Sequence, residues 1–532
     1  MINIDSLKQA IKLTQEGKYN EAEKIYEELL AKHPDEQVLL SAAGLFYIEF
    51  KQYNKAISLL EKACGIKETP GTVSALGFAL YEIQKYDKAA ETLEHALNLS
   101  ENIDVYNKLI LSLFEIKNYK RAIELTAKME KLYPDSAKTI ANKIKSLTYE
   151  GKLLEAEKIC IDYLKKNPLE SSIWYHLGLL KELIYSDDMR AIECYKVAGE
   201  QGNLSANYNI AVAYQKLGEY KQAEKYYKQF LELFPEDDAG ITSLGMCYLS
   251  QKKFREGYDL FYKRKNGKAE KYTNNLWIPY TELNKNLVII CDQGFGDHIQ
   301  FIRYLPFLKE HNIKVAVGTS LKELFETNYP DVEFINYEEI DSSVQALRIT
   351  DLAYALNMDF DNIPFSQGYL NIEPDNIQNN KLKVGLCWEA GAAGIRGMIN
   401  RTINIKCFEQ LFNTKNIQLY SFQVMDTFKG NEKYADKMIN LAKNFKNFKD
   451  TAKALKAMDL VISVDTSVAH LAGALGVKTL LLLPYAPDWR WFGGNNKSTP
   501  WYESVEIYKQ QNSISWEEPI NKIIKKLQQN DL

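Results

Sequence analysis

The sequence has no CxxC pair: its seven cysteines, Cys64, Cys160, Cys194, Cys247, Cys291, Cys387 and Cys407, are widely scattered. An odd count at such spacing excludes a disulfide framework and a structural zinc site, and predicts reduced, mostly buried thiols. Long apolar runs are also missing. None approaches the roughly 20 residues of a membrane-spanning helix, and the N-terminus enters a polar helix with no apolar signal region, so a cytoplasmic protein is expected. Neither sign of charge is in excess. Lys+Arg number 66 against 70 Asp+Glu, a net charge of -4, which provides no basic excess for gripping a phosphate backbone, so no nucleic-acid partner is expected. A chain of 532 residues is too long for a single core, so at least two domains are expected.

Self-similarity dominates the first half. A small residue recurs at Ala22, Ala56, Ala89, Ala122, Ala156, Ala191, Ala223 and Gly257, in steps of 34, 33, 33, 34, 35, 32 and 34. Twelve positions earlier stands a second small residue, at Ala10, Gly44, Gly77, Ala211 and Gly245, with Gly178 displaced by one. Four positions after the first comes a large side chain, as at Tyr26, Leu60, Leu93, Tyr195, Tyr227 and Phe261. Pro34, Pro134, Pro168 and Pro235 then close second helices. This resembles the tetratricopeptide repeat family and predicts an α-solenoid of about eight hairpins over residues 3–264. Stacked hairpins bury one continuous core and leave a concave surface that usually binds peptide, here expected to hold an acceptor protein. A plain spacing or oligomerising role is the alternative.

Beyond residue 264 the period changes. A linker over 265–284 leads to short aliphatic runs, Leu287–Cys291, Lys314–Val317, Val332–Asn336, Lys383–Trp388, Gln418–Gln423, Leu460–Val464 and Thr479–Leu483, separated by helical stretches. That alternation predicts a parallel α/β region in two doubly wound halves, 285–378 and 379–532, with ligands at the carboxyl ends of strands.

Two strand–turn–helix motifs carry chemistry. In the first, Gly294 and Gly296 let backbone approach a ligand, and Asp297 at the helix start either caps the helix or faces the cleft as a proton acceptor. Neighbouring His298 is read as structural. In the second, Asp465, Thr466 and Ser467 open a helix that carries His470 one turn in. They suit a diphosphate or sugar hydroxyls, or else cap the helix and pack its core. No third ligand accompanies Asp465 and His470, so no metal is expected.

The strings GFGDHIQFIRYLP, VGLCWEAG and DLVISVDTSVAHLAGALG, in that order, resemble the heptosyltransferase-like glycosyltransferases of family 9, over residues 285 to about 510. The closing LLLPYAPDWRWFGG is similar to the branch in which tetratricopeptide repeats precede the transferase; bacterial flagellin glycosyltransferases share this layout. The resemblance implies a GT-B fold of two Rossmann-like halves, the first on the acceptor side and the second on the nucleotide-sugar side. It makes Asp297 the general base of an inverting, metal-independent transfer, with Gly294 and Gly296 shaping its loop. Asp465, Thr466, Ser467 and His470 would contact the donor. Arg401 would offset diphosphate charge, although Met398 stands where the family has an acidic residue. Gln423 would meet base or ribose, or close its strand. Trp489 and Trp491 would stack on the ligand or pack the core.

The expected function is transfer of a sugar from a nucleotide-sugar donor, without a cofactor, to a protein acceptor such as flagellin or another surface protein. The alternatives are a lipid-linked or saccharide acceptor, or a non-catalytic repeat scaffold with a degenerate transferase half.

Overall fold

The computed structural model describes residues 3–264, 269–391, 401–424, 432–494, 496–512 and 515–529. Met398 and four residues of the expected linker, 265–268, lie outside the described residues.

Sixteen helices, from α1 (Ile4–Gln15) to α16 (Phe254–Phe261), fill the first half as eight hairpins. The repeat register has a direct cause. Each small residue of the 34-residue ladder lies buried on a second helix, and Gly44, Gly77 and Gly178 on first helices face the large residues that follow. A Cβ on Gly44 would stand 2.6 Å from Leu60, one on Gly77 2.6 Å from Leu93, and one on Gly178 2.5 Å from the Tyr195 ring. The turns between the helices of a hairpin pass through left-handed backbone at Gly17, Lys51, Gln84, Lys117, Gly151, Gly218 and Lys252. Glycine is therefore favoured there without being required. Among the described residues no helix is long and apolar enough to cross a membrane.

The close crossing in the last hairpin can be tested. A Cβ on Gly245, in α15 (Asp238–Ser250), would lie 2.8 Å from the Phe261 backbone nitrogen and 3.0 Å from the Gly257 carbonyl oxygen. Backbone cannot step aside, so Gly245→Ala is expected to cost about 1–3 kcal/mol by overpacking. Gly65, where the added methyl would meet nothing within 4 Å, should respond oppositely, with alanine adding about 0.4–1 kcal/mol. Denaturant unfolding of the two variants checks the sign; equal shifts would contradict the packing account.

Two compact units partition the chain, residues 1–206 and 207–532. The second holds the last two hairpins together with two sheets. One sheet is fully parallel, in the order β3 (Glu333–Ile335), β2 (Asn312–Ala316), β1 (Asn286–Ile290), β4 (Gln345–Arg348). The other runs β10 (Ser498–Thr499), β11 (Tyr502–Lys509), β9 (Thr479–Leu483), β8 (Leu460–Val464), β5 (Leu382–Cys387), β6 (Ile417–Ser421), β7 (Ile439–Asn440), and only β10 is antiparallel. All seven expected strands occur, with ends within two residues of the expected ones. Of the four others, β4 escaped because its strand, Gln-Ala-Leu-Arg, reads polar; its Arg348 is nonetheless buried.

Within this second unit the final hairpin is part of the α/β core. Leu249, Tyr258 and Phe261 share one apolar cluster with Trp277, Trp489 and Trp501. The Tyr258 hydroxyl donates to the Thr350 carbonyl at 3.0 Å, and its ring stacks on Tyr354. The stretch expected as a linker docks on the sheet edge, where Trp277 N–H donates to Ala346 at 2.7 Å and Ala346 N–H donates to Asn275 at 2.8 Å. Arg264, just after α16, drives its guanidinium into the sheet. It bonds Asp351 at 2.9 Å and Asp292 at 3.3 Å, while Arg348 bonds Asp351 at 3.2 Å and also Glu270.

Candidate active site

Every motif residue sits just beyond the carboxyl end of a parallel strand, because in such sheets the strand ends leave backbone free of a neighbour and helices begin there. In the first sheet β1 is the switch point, flanked by β2 on one side and β4 on the other. The chain leaving β1 turns at Gly294, which caps α17 (Phe295–Phe301). Asp297 is thus the third residue of the helix rather than its cap. It reaches back to accept the Gly294 N–H at 3.1 Å, as a third-position acid does in a capping box. His298 is buried and meets Phe295 edge to face.

In the second sheet β8 runs into Asp465 and Thr466, and Thr466 caps the helix Ser467–Ala474. Ser467 opens that helix half-buried; the Thr466 hydroxyl lies 3.2 Å from that of Ser463. This helix abuts α17 so closely that a Cβ on Gly296 would come within 2.9 Å of the His470 ring. Glycine at 296 is therefore what lets the two motifs meet. Arg401 lies 3.8 Å from one Asp465 oxygen and His470 3.8 Å from the other.

Gln423 is placed differently from a ligand contact. Its side-chain oxygen accepts the Glu389 N–H at 3.0 Å and the Trp388 N–H at 3.3 Å, and its nitrogen donates to the Glu389 carbonyl at 3.3 Å. The amide thus ties the end of β6 to the turn after β5. Trp489 and Trp491 are both buried; Trp491 stacks on His470 with centroids 5.2 Å apart, and Trp489 packs against Phe261.

The central cation is one the sequence reading passed over. Arg490, in the turn after β9, donates to Asp297 and, through its other terminal nitrogen, to Asp488 at 2.6 Å. Its guanidinium lies 4.6 Å from the Trp489 ring centroid. The available signal was positional: Pro-Asp-Trp-Arg-Trp follows a buried strand, at the same strand-end level as the two recognised motifs. Arg303 was also missed. Fully buried, it donates to the carbonyls of Gln300 at 2.8 Å and Trp501 at 2.9 Å, so it ties α17 to the second half.

Burial sets the protonation chemistry. It raises the Asp297 carboxyl above the usual range, with Arg490 pulling it back down. Asp465 is pushed up to about 6 by burial and by Asp488, against the pull of Arg401. Asp488 is held low, because Arg490 outweighs its burial. His470 is pushed down to about 3 by burial and by Arg490, so its ring is neutral, with Nδ1 3.0 Å from the Tyr502 hydroxyl.

These shifts have opposite signs in stability. His470 has a folded pKa near 3, below the ordinary 6.5, so its contribution is present above pH 6.5 and is lost as pH falls toward 3. Asp465 is the reverse: raised from 3.8 to about 6, it contributes below pH 3.8, and that contribution is lost as pH rises through about 6. Midpoints of thermal unfolding across pH 3–8 should therefore fall less steeply toward acid in His470→Gln, and less steeply toward neutral pH in Asp465→Asn, than in the parent. Parallel profiles would contradict both assignments.

The fold is a helical-hairpin solenoid of the tetratricopeptide type continued by a largely parallel α/β region. A tetratricopeptide repeat model matches residues 205–237, and a model described as anaphase-promoting complex, cyclosome, subunit 3 matches residues 15–96. Protein FlbA of Caulobacter vibrioides (strain ATCC 19089 / CIP 103742 / CB 15) is 23% identical over 465 residues, spanning 75% of each chain. Among solved structures, a tetratricopeptide repeat protein from Parabacteroides merdae ATCC 43184 aligns with a TM-score of 0.42 and 14% identity, over 46% of this chain and 97% of that one. Yeast Tom70 aligns with a TM-score of 0.39 and 17% identity, over 48% of this chain and 56% of its own.

Proposed function

We propose that the chain is a GT-B glycosyltransferase, similar to family 9, that moves a sugar from a nucleotide-sugar donor to a polypeptide acceptor held by the repeats. The observation that carries this reading is the approach of the two motifs: Gly296, beside Asp297, abuts His470, which lies 3.8 Å from Asp465, while Asp297 itself pairs with Arg490 from the second half. Two doubly wound sheets with polar groups at facing strand ends are the arrangement in which such donors and acceptors meet. A raised carboxyl at Asp297 suits a proton acceptor.

In the proposed step an acceptor hydroxyl or amide attacks the anomeric carbon from the face opposite the leaving group. The new bond forms as the anomeric carbon–phosphate oxygen bond breaks; the acceptor's proton goes to Asp297, and the nucleoside diphosphate leaves with the bonding pair. The anomeric centre inverts. Side-chain cations can stabilise the departing charge, and Arg401, beside Asp465, is one of them.

A thermal-shift screen of the full chain over nucleotide sugars tests the donor half of this reading, since a ligand that binds only the folded state raises the midpoint. Intact-mass analysis of polypeptides co-expressed with the chain tests the acceptor half. A silent screen together with unmodified masses would sink the enzymatic reading and leave the repeat scaffold in its place.

A further inference from the structure

The ion network around Asp297 is closed on itself. Arg490 spans Asp297 and Asp488, and Arg401 stands beside Asp465, so each cation already faces a carboxylate. One Asp297 oxygen accepts from Arg490 and the other from the Gly294 N–H. In this state each Asp297 oxygen carries a hydrogen bond, and the one from Arg490 is an ion pair that lowers the basicity of the carboxylate. Arg490 itself is well placed to change partner: its fork is planar, it remains charged, and its backbone is anchored by an Arg490 N–H bond to Asp488 at 3.1 Å and by the Trp501 indole donating to its carbonyl at 2.7 Å. Only the Asp297 arm of the fork crosses from the second half to the first.

We propose that Arg490 is a donor-operated latch: it masks Asp297 until a nucleoside diphosphate group takes the guanidinium, which frees the carboxylate to accept the acceptor's proton. This rests on the transferase reading above. The exchange makes and breaks no covalent bond. A diphosphate offers the fork a bidentate anion of higher charge than one carboxylate, so it competes for Arg490 while Asp488 keeps the second arm. The arrangement imposes an order. Donor must arrive before the acceptor can be deprotonated, and an enzyme without donor has its base covered.

A double-mutant cycle on the full chain, read as affinity for UDP, GDP, CDP and ADP, tests the latch. Asp297→Asn removes the competitor for Arg490 and should tighten binding of the preferred diphosphate about tenfold. Arg490→Gln should weaken it about a hundredfold, with Arg490→Lys between the two. In the Arg490→Gln background, Asp297→Asn should tighten binding less than about threefold, because the gain runs through the arginine. Equal tightening in both backgrounds would show plain relief of negative charge; the latch would then be wrong and the transferase reading would stand. Absence of diphosphate binding in the parent and in every variant would overturn both.

Discussion

Asp297→Asn is expected to slow sugar transfer about 10²–10⁴-fold, the range that a positioned proton acceptor contributes. Asparagine keeps the shape and, through its side-chain oxygen, the bond to the Gly294 N–H. What disappears is the basic group and the partner of Arg490. The loss should therefore fall on kcat, while the donor KM holds or drops as the freed arginine meets the diphosphate. A single-turnover assay with donor and acceptor at saturation isolates this effect. An unchanged rate would remove Asp297 from the chemistry. A proportionate rise in KM with kcat intact would recast it as a binding residue.

Arg264→Ala is expected to cost the 207–532 unit about 3–5 kcal/mol, because it leaves buried Asp292 without its ion-pair partner and Asp351 with Arg348 alone. The side chains of Asp292 and Asp351 are 0% and 2% exposed, and the guanidinium reaches both. Even with Arg264 present, burial pushes Asp292 up to about 6. Removing the cation drives that group further toward its neutral form, so the variant should lose most stability near neutral pH and recover part of it toward pH 4. Six of the seven tryptophans, all but Trp174, lie in this unit, so fluorescence-monitored unfolding in denaturant reports it directly. Arg264→Lys should fall between parent and alanine, since one ammonium cannot reproduce the fork. A change below about 1 kcal/mol would mean that water reaches the carboxylates.

The same residue shows where sequence reading stops. Arg264 closes the last repeat, and nothing in its neighbours marks it as buried. Its partners lie 28 and 87 positions away, on the turn after β1 and beyond β4. β4 was itself missed, because a strand buried around an ion network lacks the aliphatic run that made β8 and β9 plain. Arg490 escaped for a related reason. Its charge sits among tryptophans that pack a core, and its partner Asp297 is 193 positions away, on the helix that follows β1 of the other sheet.

Local order was settled by the sequence alone. The 34-residue ladder of small residues determined the hairpins, since a helix crossing as close as Gly44 against Leu60 admits no larger side chain. Aliphatic runs followed by glycine or by Asp-Thr-Ser determined strand–turn–helix units and put Asp297 and Asp465 at strand ends. Tertiary structure alone decided what those ends face. It joined the final hairpin to the sheets, turned the Gln423 amide onto backbone, brought Gly296 against His470, and set Arg490 on Asp297. These are pairings between distant segments, selected by the free energy of burying charge only where it is matched, and periodicity carries no record of them.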